Sequence, residues 1–240
     1  MKKFLKKLKL KRRVVRVLAS MHFFGNPSAK IKVVGVTGTS GKTTTATLLY
    51  RIATALGHKA GLIGTVENII VDKIEETTLT TPDSLSLNRL LSQMSDKGCE
   101  YVFMEASSHA IDQDRIAGIT FIGGIFTNLS HDHLDYHKDI QSYFMAKKKF
   151  FKMLPPKAFA LSNADDKYGL DMVSGIKAQQ IFYGFEGHED FHGEILKSDF
   201  IISDAMASRS SLISRSWDAL CIVLIVKSVS SSALSYARFS

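Results

Sequence analysis

The chain has 240 residues, 45% of them apolar, so it can bury a sizeable core and is not a disordered polypeptide. Its formal charge of +8 is concentrated at one end: residues 1–16 carry nine Lys or Arg and no acid, while the remainder holds 22 basic and 23 acidic residues. That distribution argues against a nucleic-acid-binding body, and two cysteines, Cys99 and Cys221, are too few for a disulfide scaffold or a thiolate metal site.

The basic segment interleaves its charges with Phe4, Leu5, Leu8, Leu10, Val14, Val15 and Val17. A helix here suits contact with an anionic membrane surface through residues 1–24; a solvated leader is the alternative. No uninterrupted apolar core follows the charges as a secretory signal requires, and no stretch is long enough for a membrane span. The expected location is the cytoplasm, with the inner face of the membrane as the place such a segment would touch.

Ile31–Val36 reads as a short buried strand, followed by a glycine-rich turn from Gly38 and a helix from about Lys42 to Leu56. A second strand is expected at Lys59–Ile63. Thr77–Asp83 is turn-like, and Pro82 ends it before a helix at about Ser84–Lys97. Strands follow at Tyr101–Met104, Phe121–Phe126, Lys157–Leu161 and Gln179–Tyr183, with a helix at Ile140–Met153 and a short one between the last two strands. This alternation predicts an α/β domain over residues 31–202, with a largely parallel sheet and helices on both faces. Polar ligands gather beyond the carboxyl ends of such strands, where Thr37, Glu105, Asn128 and Asn163 emerge. Residues 203–240 contain twelve serines, no glycine and no proline, and read as an atypical tail, loosely attached or from a displaced reading frame.

Gly38–Thr43 is Gly-Thr-Ser-Gly-Lys-Thr, the closing half of a phosphate loop. The strict pattern asks for glycine where Val36 stands, and Gly35 lies one residue too early. The strand before it and the helix after it supply the context: backbone N–H groups and a helix N-terminus converge on phosphate oxygens. Lys42 would neutralise the terminal phosphates, and Thr43 offers a hydroxyl to Mg²⁺. Glu105 leaves its strand opposite this loop, suited to a hard cation. His109 reads as a ligand, a substrate contact or a hydrogen-bonded scaffold residue. His131, His133 and His137, with Asp132 and Asp135, lack zinc-site spacing; one histidine helping to hold Mg²⁺ is the more economical reading.

The runs GVTGTSGKTTT (Gly35–Thr45), TTP (Thr80–Pro82), MEASSHAIDQDR (Met104–Arg115), FTNLSHDHLDYH (Phe126–His137), YFMAK (Tyr143–Lys147) and NADD (Asn163–Asp166) resemble, in order and spacing, the central domain of the Mur ligases. The branch most similar extends UDP-N-acetylmuramoyl-L-alanyl-D-glutamate with a diamino acid. The resemblance covers roughly residues 31–200 and implies ATP and Mg²⁺ as cofactors. It implies that Gly38, Thr39, Ser40, Gly41, Lys42, Thr43 and Thr44 hold the ATP phosphates, with Asn128 and Asn163 near the nucleotide. Glu105 and His133 resemble the magnesium-holding pair, and Lys147 the lysine that this family carbamylates. Thr80, Thr81, Ser107, Gln113 and Arg115 resemble contacts to the UDP-muramoyl-dipeptide. Ser40 stands where the family often has asparagine.

The implied chemistry is phosphorylation of the D-glutamate side-chain carboxylate by ATP, then displacement of phosphate by the incoming amine. The residues before Ile31 are too few for the family's UDP-gripping domain, and 203–240 do not supply its amino-acid-binding domain. The isolated chain is therefore expected to bind nucleotide and ligate poorly. The alternatives are a nucleotide-binding module without turnover and a folylpolyglutamate-synthase-like ligase. Neither the acceptor amine nor an oligomeric state is set by these residues.

Overall fold

A computed structural model describes residues 15, 19–77, 79–132, 134–185 and 190–192. The expectations for most of the basic segment, for His133 and for 203–240 lie outside the described residues.

Among the described residues nine strands form one sheet: β1 (Lys32–Thr37), β2 (Ala60–Ile63), β3 (Asn68–Ile70), β4 (Lys73–Glu75), β5 (Tyr101–Glu105), β6 (Phe121–Phe126), β7 (Phe159–Asn163), β8 (Gln179–Gly184) and β9 (Phe191–His192). Their order is β4-β3-β2-β5-β1-β6-β7-β8-β9. From β2 to β9 every neighbouring pair is parallel, while β2, β3 and β4 form an antiparallel edge. Around the sheet lie α1 (Lys42–Ala55), α2 (Ser84–Asp96), α3 (Ser108–Asp112), α4 (Leu134–His137), α5 (Ile140–Met153) and α6 (Gly169–Val173).

The alternation of a pleated strand divides the core into two layers. Val33, Val102 and Met104 face a layer that contains residues of α2, α3, α5 and α6, whereas Val34, Val36, Tyr101 and Phe103 face the layer of α1. The mostly parallel sheet with helices on both faces is therefore present. α5 buries Tyr143, Phe144, Ala146, Lys147, Phe150 and Phe151, the stripe expected of a helix lying on a sheet. Asp139 caps it by accepting from Ser142 N, and Asp83 caps α2 by accepting from Leu85 N and Ser86 N.

The β3–β4 hairpin is absent from the sequence expectation. Each arm is three residues long, and the turn carries a β-branched residue, Val71, at φ 63°, where a hairpin usually signals itself with Asn-Gly or Asp-Gly. β7 begins at Phe159 rather than Lys157, because Ala158 N bonds Pro155 O and the chain is still turning there. β2 begins at Ala60 rather than Lys59, and β5 extends to include Glu105.

Candidate active site

The carboxyl ends of β1, β2 and β5 open on one cleft of about 460 Å³. Its floor is the turn from β1 into α1. Gly35 and Val36 both belong to β1, so the phosphate loop proper starts at Gly38. A side chain at Gly38 would place Cβ 1.8 Å from Thr127 Oγ1, so that position requires glycine. Gly41, at φ 83°, ends the loop as the N-cap of α1 without any side-chain cap. The first-turn amides of α1 therefore have no intrahelical acceptor and face the cleft, a favourable setting for an anion.

The loop is braced from behind. Thr39 N donates to Asn128 O (2.9 Å) and Ser40 N to Asn128 Oδ1 (3.0 Å). Ser40 O accepts from Thr127 Oγ1 (2.7 Å) and Asn128 Nδ2 (3.2 Å). Asn163 Nδ2 supports this brace by donating to Thr127 O (3.0 Å).

Two lysines converge on the loop. Lys42 Nζ donates to Gly38 O (2.9 Å) and Thr39 O (2.8 Å), and Lys147 Nζ donates to Gly38 O (2.7 Å). Burial lowers the Lys42 pKa below the usual lysine value, against the opposing pull of Glu105 and Asp132. Lys147 is 1% exposed and is pushed well below its usual value, first by burial and then by the neighbouring Lys42, with Asp132 opposing. Its ammonium also sits 4.3 Å from the Tyr143 ring centroid.

Glu105, 1% exposed, holds the opposite side of the loop. Its Oε2 accepts from Thr43 Oγ1 (3.0 Å) and Thr65 Oγ1 (3.1 Å), and its Oε1 from Thr65 N (2.7 Å). Thr43 and Glu105 thus present adjoining hard oxygens at the mouth of a phosphate loop, a donor set that fits Mg²⁺ sharing phosphate and water oxygens. Among the described residues no three His, Cys, Asp or Glu side chains converge as metal ligands.

The far wall is built from the segment before α2 and from α3. Thr81 Oγ1 donates to Glu105 O (2.7 Å) and accepts from Ser107 N (3.1 Å), which joins the two segments. Arg115 donates through Nη1 to Thr81 O (3.0 Å), and through Nε and Nη2 to Gln113 Oε1 (2.9 and 2.6 Å). Thr80 Oγ1 lies 3.1 Å from Thr65 Oγ1. The structure therefore brings Gly38, Thr39, Gly41, Lys42, Thr43, Thr44, Thr80, Thr81, Glu105, Ser107, Arg115 and Lys147 onto one cleft. Ser40, Asn128, Asn163 and Gln113 stand behind its lining.

Sequence reasoning missed Thr65, a lone threonine past the end of β2 with no motif around it. It also passed over Tyr143, whose signal was its place four residues before Lys147, on the same helix face.

A model of the Mur ligase middle domain matches residues 36–216. The chain belongs to the Mur ligase family. The Mur ligase match runs past Ser203 into the serine-rich segment. Among curated proteins, the chain is 54% identical over 182 residues to a UDP-N-acetylmuramoyl-L-alanyl-D-glutamate–2,6-diaminopimelate ligase of Bacteroides fragilis, covering 76% of this chain and 38% of that protein. A Clostridium perfringens protein of the same name is 41% identical over 186 residues, covering 75% and 38%. A solved structure of a ligase of that name superposes with a TM-score of 0.61 at 28% identity, over 68% of this chain and 34% of the other. MurF from Acinetobacter baumannii, at 20% identity and a TM-score of 0.56 over 70% and 35%, shares the fold. This Mur ligase chain thus spans less than half the length of these relatives.

Proposed function

We propose that the chain carries the ATP-using centre of a ligase that joins 2,6-diaminopimelate to UDP-N-acetylmuramoyl-L-alanyl-D-glutamate. One observation carries the reading: a braced phosphate loop, with Lys42 at its end, faces a wall of Thr81, Ser107 and Arg115 across a single cleft. The names and the identity of the curated relatives, 52 to 55% in the first five, support the choice of substrates.

The D-glutamate side-chain carboxylate attacks the γ-phosphorus, the bond to the bridging oxygen breaks, and ADP leaves. The amine then attacks the acyl carbon, phosphate departs, and the amide nitrogen loses a proton. Two anions must meet in the first step, and the loop amides and Lys42 offset their repulsion and hold the phosphates in line. Arg115, with its planar fork, orients a substrate carboxylate. Thr43 and Glu105 would hold Mg²⁺, which supplies charge neutralisation on the phosphate oxygens when bound. Lys147, whose pKa is lowered by burial and by Lys42, gives up its proton more readily than an ordinary lysine, and the amine so formed would add CO₂ and release a second proton, giving a carbamate in place of a cation.

A ligase using ATP and a nucleotide-sugar peptide would work in the cytoplasm. Among the described residues no helix is long and apolar enough to cross a membrane. Contact of residues 1–24 with the inner membrane face is tested by co-sedimentation with anionic vesicles, which removal of residues 1–16 should abolish.

Magnesium-dependent ADP formation tests the main reading, using the nucleotide-sugar dipeptide with and without diaminopimelate, beside Lys42→Ala. Turnover that needs both substrates and is lost in the variant supports the ligase. ATP binding without turnover favours the second reading, a nucleotide-binding module built on the same braced loop. Absence of ATP binding would sink both.

A further inference from the structure

The connection between the two walls of the cleft runs through groups the reaction scheme leaves unused. His137, at the end of α4, is 6% exposed, and its Nε2 lies 2.9 Å from Ser108 Oγ. Ser108 opens α3 directly after Ser107, whose hydroxyl caps that helix by accepting from Ala110 N (3.2 Å). The His137 ring also packs against Tyr143, with centroids 5.0 Å apart at 32°. Tyr143 OH stands 3.3 Å from Thr39 Oγ1, and the Tyr143 ring supports Lys147 Nζ, which donates to Gly38 O.

A second strap joins α3 to α5 at the other end. Lys149 Nζ donates to Ile111 O (3.1 Å) and pairs with Asp114 Oδ1 (2.5 Å). Losing the His137–Ser108 bond would therefore leave α3 attached to the body. The effect should be local, confined to the angle at which the wall of Thr81, Ser107 and Arg115, the acceptor wall of the proposed phosphoryl transfer, meets the phosphate loop.

We propose that His137 is a positioning residue, which sets Ser107–Ser108 against the phosphate loop by bonding Ser108 and packing on Tyr143. An imidazole suits the place: it is rigid, its face packs on a ring, and its edge still bonds a hydroxyl in a buried setting. The rings of Tyr136 and His109 crowd the same imidazole, at 4.8 and 5.7 Å between centroids, and limit its rotation. The substrate meaning of the two walls rests on the ligase reading; the mechanical link between them does not.

Amide exchange in the 240-residue chain tests the link, comparing wild type, His137→Phe, Ser108→Ala and the double variant. The Thr39 and Ser40 amides, both bonded to Asn128, report the loop. Each single variant should raise their exchange about five- to tenfold, as loss of one buried hydrogen bond does. The double variant should go no further than the larger single, because both remove the same bond. Amides in β7 and β8 should be unaffected, and binding of MgAMP-PNP should weaken by a similar factor. Unchanged loop exchange in both singles, or an equal rise throughout the sheet, would overturn the positioning role. Failure of wild type to bind MgAMP-PNP would refute the ligase reading instead, and the exchange comparison would still decide the link.

Discussion

The phosphate loop and the acceptor wall stand at the same end of one sheet, yet they hold their polar groups by different means. Around Gly38–Ser40 the backbone is answered by groups fixed in the body: Lys147 on Gly38 O, Asn128 on Thr39 N and Ser40 N, Thr127 on Ser40 O. Across the cleft, Arg115 is answered chiefly by a side-chain amide, Gln113 Oε1, and Gln113 Nε2 in turn bonds the exposed Tyr136 OH, which donates to Asp112 Oδ2. The first arrangement is preorganised and costs nothing to align when phosphate arrives. The second is exchangeable, because an incoming carboxylate makes stronger charge-assisted bonds to the guanidinium than a neutral amide does. On the proposed reading, the first would hold a polyphosphate and the second a substrate that must be gripped and released.

Breaking the rigid wall should have the largest effect. On the proposed reading, Lys42→Ala removes the cation that would meet the transferring phosphoryl group, and ATP-dependent turnover should fall about 10²–10³-fold in a steady-state ADP assay. Because buried Glu105 loses a neighbouring cation, thermal unfolding of the variant separates loss of turnover from loss of fold. Arg115→Ala attacks the exchangeable wall. It should raise KM for the nucleotide-sugar dipeptide about ten- to a hundredfold and leave MgAMP-PNP affinity within twofold in calorimetry. If Arg115→Ala weakens nucleotide binding as much as Lys42→Ala does, the two walls are one unit and the contrast fails.

That contrast was only partly legible in the sequence. The phosphate loop could be read because three requirements fall on adjacent residues: a glycine that clears Thr127, a left-handed glycine, and Lys-Thr at a helix start. Strand and helix order could be read because apolar runs such as Phe121–Phe126, too short for helices, alternate with longer amphipathic stretches. Thr65 could not, because its role arises only where β2 ends beside β5, and no local pattern encodes that meeting. The β3–β4 hairpin was hidden by short arms and by Val71 in a backbone region that usually selects Gly or Asn. Tyr143 and Lys147 were legible as a helix face, but that the face packs against Gly38 and Thr39 is tertiary information.

The rigid wall also responds to pH. Lys147 is held well below 10.5 in the folded chain by burial and by Lys42, whereas an unfolded lysine keeps the ordinary value. Between the depressed value and 10.5 the unfolded chain binds the extra proton, so stability rises with pH across that window. Lys147→Met should flatten the rise in urea midpoint between neutral and alkaline buffer when bicarbonate is excluded, leaving the share that Lys42 contributes. An unchanged slope would mean that the Lys147 amine is not the strained group.

The smallest effect tests how far the exchangeable wall extends. Asp83 caps α2, and although burial acts upward on its carboxyl, the Ser86 hydroxyl and the Leu85 and Ser86 amides pull it below the ordinary value of 3.8. Asp83→Ala should cost about 1 kcal/mol at neutral pH, a fall of about 2–4 °C in melting temperature for a domain of this size. The difference from wild type should fade as pH falls below 3.8, because the folded-state carboxylate that supplies the stability is then being protonated. Thr81, which bonds Glu105 O and accepts from Ser107 N, lies two residues before this cap. If fraying of α2 reaches it, KM for the dipeptide substrate will rise while nucleotide affinity holds, which makes the start of α2 part of the acceptor wall. If only the melting temperature moves, Thr81 is held by Glu105, Ser107 and Arg115 without help from the helix start, and the wall's adaptability is confined to Arg115 and Gln113.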